Sequence, residues 1–294
     1  MADAAWTIGT LLAVCGRGGV IGPKKTVLEF PSGTVSLEEL QKKTRPTYSI
    51  CTCVNDYYEY KSMIDSFKSS GFTEFDCEYI YANNILQNYA DAFESCNMFL
   101  RHARGKYIII CHQDILLIDD RAHLDKILNE LCLADENWGI VGNAGGVRPG
   151  ILAIRISDPH GEDTRIGGPY PVSVKALDEN FLIVRQDANI STSGDLKGFH
   201  HYGTDLCIIS DILGYKSYVV DFHIRHKSAG KRDSNFMKIR NKMISKYERA
   251  FRNRIIVSTC TDFVLTPHSY LNSIVNLKYI KRMLYMAMSL RHRS

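Results

Sequence analysis

The chain has 294 residues, of which 45% are hydrophobic and 23% charged, with a formal net charge of +4. That size and balance fit one large α/β domain with additions, or two domains, and give no charge argument for a nucleic-acid partner. No apolar run approaches the roughly 18 residues of a membrane-crossing helix. Asp3 precedes the first apolar patch and no basic segment leads it, which speaks against a secretory signal. The nine cysteines are scattered without a CxxC pair. They read as small buried thiols in a reducing compartment, so a cytoplasmic location is expected.

Residues 1–46 read as an N-terminal extension with turn signals at Gly16–Gly19, Gly22-Pro23 and Pro31-Ser32-Gly33 and a short helix from Ser36. From Tyr48 the pattern becomes regular. YSICTCVN is a strand, and DYYEYKSMIDSFKSSGF a helix with Tyr60, Met63, Ile64 and Phe67 on one face. CEYIYANN is a second strand, NYADAFESCNMFLRHARG a second helix, and KYIIICHQD a third strand. RAHLDKILNELCLADEN and WGIVGNAGG add a third helix and a fourth strand. This alternation predicts parallel βαβ units in an open sheet covered on both faces. GxGxxG after the first strand and GxxxxGK[ST] are both missing, so a dinucleotide site or P-loop is not supported.

The run KYIIIC is continuous and β-branched, as in a strand buried on both faces, and His112 and Asp114 follow its end. In an extended chain such i, i+2 side chains point the same way, toward the strand ends where open α/β sheets bind ligands. A metal-ligand pair and a capped turn with a solvated histidine both remain open from this segment alone. Val147–Pro171, rich in Gly, Pro and charge, reads as a surface excursion. VSVKALDENFLIVRQD then gives strand, turn (Asp178, Glu179) and strand. A polar loop from Gly198 to Thr204 precedes a helix Asp205–Leu213 and the strand YKSYVVDFHIRH.

The order YSICTCVN, YIYANN, ARGKYIIICHQD, VKALDENFLIVR and GFHHYGTDLCIISDILGYKSYVVDFHIRHKSAG resembles the glycosyltransferases of the GT-A fold. Within them it is similar to a family-2-like group that includes streptomycin-biosynthesis-type proteins. The likeness covers residues 47 to 247, with GFHHYGTDL and RHKSAG its most specific parts. It implies a mostly parallel central sheet flanked by helices, a catalytic domain at 47–254, and a C-terminal helical extension at 255–294. It further implies transfer of a sugar from a nucleotide-diphosphate sugar to an acceptor hydroxyl, with inversion. In these families a DxD-type motif ends the third strand. Asp114 matches its final acid, while His112 stands at its first position, leaving metal, ribose or neither as its contact. His226 resembles a further metal ligand, and an imidazole suits Mn²⁺ better than Mg²⁺. Asp205 matches the catalytic base, with a plain helix-capping role as the alternative. Asn55, Asn83 and Asn84 stand where base and ribose are read. Lys231 and Arg232 are placed to meet the diphosphate, or else belong to a solvated basic face. Asp178, Glu179, His200 and His201 fall in the sugar or acceptor pocket, and His223, at odd spacing from His226, faces elsewhere.

The expected partners are a nucleotide-sugar donor and an acceptor that the sequence leaves unnamed among glycan, lipid, protein and small molecule. The C-terminal segment mixes Leu271, Ile274, Val275, Met283 and Leu284 with Lys278, Lys281, Arg282, Arg291 and Arg293. It is expected to pack on the catalytic domain or form a homodimer contact, the alternative being a peripheral place on a membrane surface. The rival functions are a non-catalytic nucleotide-sugar or carbohydrate-binding domain that kept the fold, and a nucleotidyltransferase.

Overall fold

The structure is a computed structural model that describes residues 45–230 and 234–291, of residues 285 and 287–291 the backbone only. The expected N-terminal extension lies outside the described residues but for its last two, and so do Lys231 and Arg232.

The first strands follow the expected alternation: β1 (Tyr48–Val54), α1 (Tyr57–Ser69), β2 (Cys77–Asn83), α2 (Ala92–His102) and β3 (Tyr107–Cys111). Each helix starts on an aspartate: Asp56 accepts from the amides of Tyr58 and Glu59, and Asp91 from that of Glu94. Then come β4 (Ile115–Leu117), α3 (Arg121–Ala134), β5 (Trp138–Gly142) and β6 (Ala144–Arg148). The stretch read as a surface excursion instead holds the hairpin β7 (Ile151–Asp158) and β8 (Gly161–Ile166). Its β-branched positions Ile154 and Ile156 pack into a second sheet, which outweighs the local Gly and Pro signals. The chain continues with β9 (Val172–Val174), β10 (Ala176–Leu177), β11 (Phe181–Arg185), α4 (Tyr202–Ile212), β12 (Lys216–Val219) and β13 (Ile224–His226). After the long helix α5 (Ser234–Ala250) come β14 (Arg254–Val257), β15 (Asp262–Leu265), α6 (Ser269–Val275) and α7 (Lys278–Arg291).

The central sheet has seven strands in the order β2-β1-β3-β11-β5-β12-β9. β2, β1, β3, β5 and β12 run the same way and β11 and β9 run against them, so the sheet is mostly parallel as expected, with β11 inserted antiparallel between β3 and β5. Alternation along β3 divides the core. Ile108 and Ile110 pack with Phe93 and Phe99 of α2, Leu206 of α4 and Tyr247 of α5. Ile109 and Cys111 pack on the other face with Phe67 of α1 and Leu124 and Leu128 of α3. A strand that faces helices on both sides has no polar face to show, which explains the unbroken run YIIIC. The second sheet, β10-β6-β7-β13-β4 with β8 beside β7, includes the strand that leaves the end of β3 and the one that ends in His226. Among the described residues no helix is long and apolar enough to cross a membrane.

Candidate metal and nucleotide-sugar site

The site lies where the central sheet hands the chain to the second sheet. β3 ends at Cys111, and the amide of His112 still donates to the Asn180 carbonyl on the approach to β11. The chain then turns at Gln113 and Asp114 and enters β4. β4 pairs antiparallel with β13, with His226 opposite Ile115, and the Lys227 amide donates to the Asp114 carbonyl. The extended i, i+2 geometry expected for His112 and Asp114 is therefore replaced by a turn. The two side chains converge all the same, because β13 brings His226 against both.

Three ligand-type atoms meet there. Nδ1 of His112 is 3.3 Å from Nε2 of His226, that nitrogen is 3.3 Å from Oδ1 of Asp114, and Oδ1 is 4.0 Å from Nδ1 of His112. Ligand atoms about 2.1 Å from a central ion sit roughly 3.0–3.4 Å apart in octahedral or tetrahedral arrangement, so two of the three edges already have that spacing. Protonation favours the same use. Burial, and after it the neighbouring His226, pushes the His112 imidazole down to about 4. Burial works against ionisation of Asp114, but hydrogen bonds from His226 and Ser228 outweigh it and hold the carboxyl well below the usual range. Near neutral pH the set is thus a neutral imidazole beside a carboxylate, the forms that bind metal. Two imidazoles and one carboxylate suit a transition-metal ion more than Mg²⁺.

Beside this cluster opens a cavity of about 550 Å³, lined by His112, Gln113, Asp114, Asn55, Asn84, Asn88, Cys53, Cys96, Phe199 and Tyr202 among others. Its size and mixed lining are those of a small-molecule pocket. Asn55 and Asn84 reach it, but each is also engaged in local structure. The Asn84 carboxamide accepts from the amides of Tyr89 and Ala90 and donates to the Ala90 carbonyl, closing the loop after β2. Asn83 accepts from the Ile85 amide, is exposed, and is not among the lining residues.

Sequence reasoning passed over Gln113, Asn88, Phe199 and Tyr202. Gln113 accepts from the amides of Asn55 and Asp56 and donates to the Asn55 side chain, so it clamps the end of β3 to the start of α1. Its place between His112 and Asp114 was the available signal. His200 stacks edge-on at 5.6 Å from Phe236, and Nε2 of His201 donates at 3.1 Å to the Phe236 carbonyl; both thus face α5. His223 does face elsewhere, 2.9 Å from the Ser157 hydroxyl.

The structure does not place Asp205 as a base. α4 begins at Tyr202, three residues before the expected start, which puts Asp205 in the first turn with its side chain inside the protein. It is 0% exposed. One oxygen accepts from the Ser193 amide at 2.6 Å; the other accepts from the Ser193 hydroxyl at 2.8 Å and the Tyr247 hydroxyl at 2.6 Å. Asp205 is not among the residues that line the cavity, and both its oxygens are engaged. Of the turn carboxylates, Asp178 is exposed, while Glu179 is half-buried beside the first turn of α4. A Cβ on Gly203 would come within 3.3 Å of its Cγ, and the Tyr202 hydroxyl donates to its carbonyl. Burial, then the charge of Asp178, pushes the Glu179 carboxyl up to about 8, against the pull of the Gly203 and His201 amides.

No family model matches the chain. A curated protein of Fuscovulum blasticum, the "ATP synthase subunits region ORF 6" protein, is 36% identical over 217 residues, 71% of this chain and 86% of that protein. Among solved structures, a mannosyltransferase from Pyrobaculum calidifontis in complex with GDP-Man and Mn²⁺ matches with a TM-score of 0.45 and 14% identity. That match covers 72% of this chain and 66% of the other. GalNAc-T7 with UDP, GalNAc and Mn²⁺ matches with a TM-score of 0.47 and 8% identity, over 69% of this chain and 48% of that one. The chain thus spans just under two thirds of one solved chain and about half of the other.

Proposed function

We propose that this chain, which belongs to the family of the ATP synthase subunits region ORF 6 protein of Fuscovulum blasticum, is a metal-dependent glycosyltransferase of the GT-A fold that uses a nucleotide-diphosphate sugar. The observation that supports this most is the convergence of His112, Asp114 and His226 beside the cavity, which His112 and Asp114 line. The three side chains would hold Mn²⁺ or a similar ion. When bound, that ion supplies neutralisation of the diphosphate, which makes the nucleotide a good leaving group. His112 in place of an acid keeps the donor set intact, since its Nδ1 joins the cluster. That favours a working site over a degenerate binding domain.

The chain's other residues bind and orient. Asn55, held by Gln113, and Asn88 present amide groups to a nucleoside in the cavity, while Asn84 shapes its wall by closing the loop after β2. Phe199 and Tyr202 supply apolar and aromatic wall. For the acceptor proton we assign Glu179 in place of Asp205. The pairing of β11 with β3 sets Asn180 opposite His112, so Glu179 is one residue beyond, at the metal end of the sheet. A carboxyl whose proton affinity lies near the working pH is suited to take that proton. Inversion at the anomeric carbon follows from a single in-line displacement with this base. Residues 47–254 are proposed as the catalytic domain.

The test is thermal unfolding of the protein with UDP-, GDP-, CDP- and dTDP-sugars, with and without Mn²⁺. A ligand that binds the folded state raises the midpoint by mass action. The expected result is a Mn²⁺-dependent rise with one nucleotide class that Asp114→Ala abolishes. A folded, Mn²⁺-loaded sample that responds to none of them, with or without an acceptor mixture, overturns the reading.

A further inference from the structure

The C-terminal part of the chain is built unlike the α/β body. Of its described residues from Phe251 to Leu284, Thr266 is the buried one. In the ribbon of β14 and β15, Arg254 pairs with Leu265 and Ile256 with Phe263, so these four share a face. The other face is covered toward its middle, although Val257 at its end is 74% exposed. Ile255 and Val264 are half-buried there, the Val264 backbone is bonded in both directions by Asn276 after α6, and Lys281 of α7 pairs with Asp262. The outward face therefore carries apolar groups: Phe263 is 40% and Leu265 45% exposed. The helices repeat this. Tyr270 and Ile274 on α6, and Tyr279 and Met283 on α7, are i, i+4 neighbours, and their exposures run from 47% to 80%.

Charge marks the partner. From residue 251 to the last residue the sequence holds seven cations (Arg252, Arg254, Lys278, Lys281, Arg282, Arg291, Arg293) and one acid, Asp262, an excess of six positive charges. The acid is already paired with Lys281. Lys278 and Arg282 flank the Tyr279 and Met283 stripe and are themselves exposed. Apolar side chains set among exposed cations such as Lys278 and Arg282 match the boundary of an anionic bilayer, where the rings and chains enter the headgroup layer and the cations meet lipid phosphates. A second copy would bring a face of the same sign against this one, which opposes association.

We propose that β14, β15, α6 and α7 form a docking surface for an anionic lipid bilayer. The inference is independent of the glycosyltransferase reading. It is tested by co-sedimentation of the full chain with vesicles of phosphatidylcholine alone and of phosphatidylcholine mixed with phosphatidylglycerol. The protein is expected to pellet with the mixed vesicles and not with the neutral ones, and to release as salt is raised. Lys278→Glu with Arg282→Glu, and separately Met283→Glu, are expected to weaken binding roughly tenfold or more while the thermal midpoint stays unchanged. All three positions are exposed, so folding does not depend on them. Equal pelleting with both vesicle types, or none with either, overturns the proposal. So does a concentration-dependent dimer in sedimentation that Met283→Glu dissolves while vesicles capture nothing, since the face would then belong to a second copy.

Discussion

Asp114 and Asp205 are both carboxylates on the same α/β body, and their surroundings give them opposite capacities. Asp114 is one-fifth exposed, faces two imidazole nitrogens, and opens on a cavity. Asp205 is sealed, and its oxygens are taken up by one amide and two hydroxyls. The first set of neighbours places two imidazole nitrogens within ligand spacing of the carboxylate, an arrangement that could hold a cation. The second set consists of donors alone, which calls for the carboxylate and nothing more. Residue type and motif position do not separate the two cases; the donor or acceptor character of the neighbours does.

The largest effect is expected at the open site. Asp114→Ala should lower turnover about a hundredfold or more and remove Mn²⁺-dependent donor binding, with unfolding little changed in metal-free buffer. Activity and thermal shift on the same sample check it. An Asp114→Ala protein that keeps both its Mn²⁺ response and its turnover would erase the difference between the two carboxylates. Asp205→Asn should do the reverse. It keeps the volume but faces donors with an amide NH₂, and bonds to a charged acceptor contribute about 1.5–3 kcal/mol each, so a loss of about 2–4 kcal/mol in denaturant unfolding is expected. Donor binding below the new midpoint should persist. If Asp205→Asn abolished turnover with unfolding unchanged, Asp205 would be the base after all.

Glu179 sharpens the comparison because it is intermediate in burial. Its carboxyl titrates near 4.5 when unfolded and about 8 when folded, so between those values the folded state holds a proton that the unfolded state has lost. Stability from this group is complete below about pH 4.5 and falls as pH rises toward 8, by up to about 1.4 kcal/mol per unit of pH. Glu179→Gln should therefore flatten part of the pH dependence of unfolding between about pH 5 and 8, measured as the difference from the unaltered protein. The same variant should lose turnover while retaining donor binding. Full turnover in Glu179→Gln would return the proton to another group.

Much of the body was legible from pattern. The βαβ alternation through Gly142 and the buried run YIIIC come from local periodicity and from the requirement that a two-faced strand be apolar throughout. The antiparallel insertion of β11 was not legible, because strand order depends on long-range pairing that no local pattern encodes. The metal cluster was half legible. His112 and Asp114 announce themselves at a strand end, but their meeting with His226 depends on β4 pairing with β13, across more than a hundred residues. The burial of Asp205 was not legible because Tyr202-Gly203-Thr204 reads as loop, whereas the helix begins there on a His201 held at a φ of +68° and buries the carboxylate one turn in.

The smallest effect tests the sealed site at its far partner. Tyr247 of α5 donates to Asp205 at 2.6 Å, and its ring stacks at 5.7 Å on Phe251, where the C-terminal part begins. Tyr247→Phe keeps the ring and removes one donor, while Ser193 still supplies two. The carboxylate remains satisfied, so the cost should be about 1–2 kcal/mol, less than for Asp205→Asn, with metal response and turnover unchanged. Denaturant unfolding of Tyr247→Phe, Asp205→Asn and the double variant measures the pair. Because both changes remove the same bond, the double variant should cost less than the two singles added together. Strict additivity would mean that the Tyr247 hydroxyl and Asp205 are not coupled, and that the sealed carboxylate rests on Ser193.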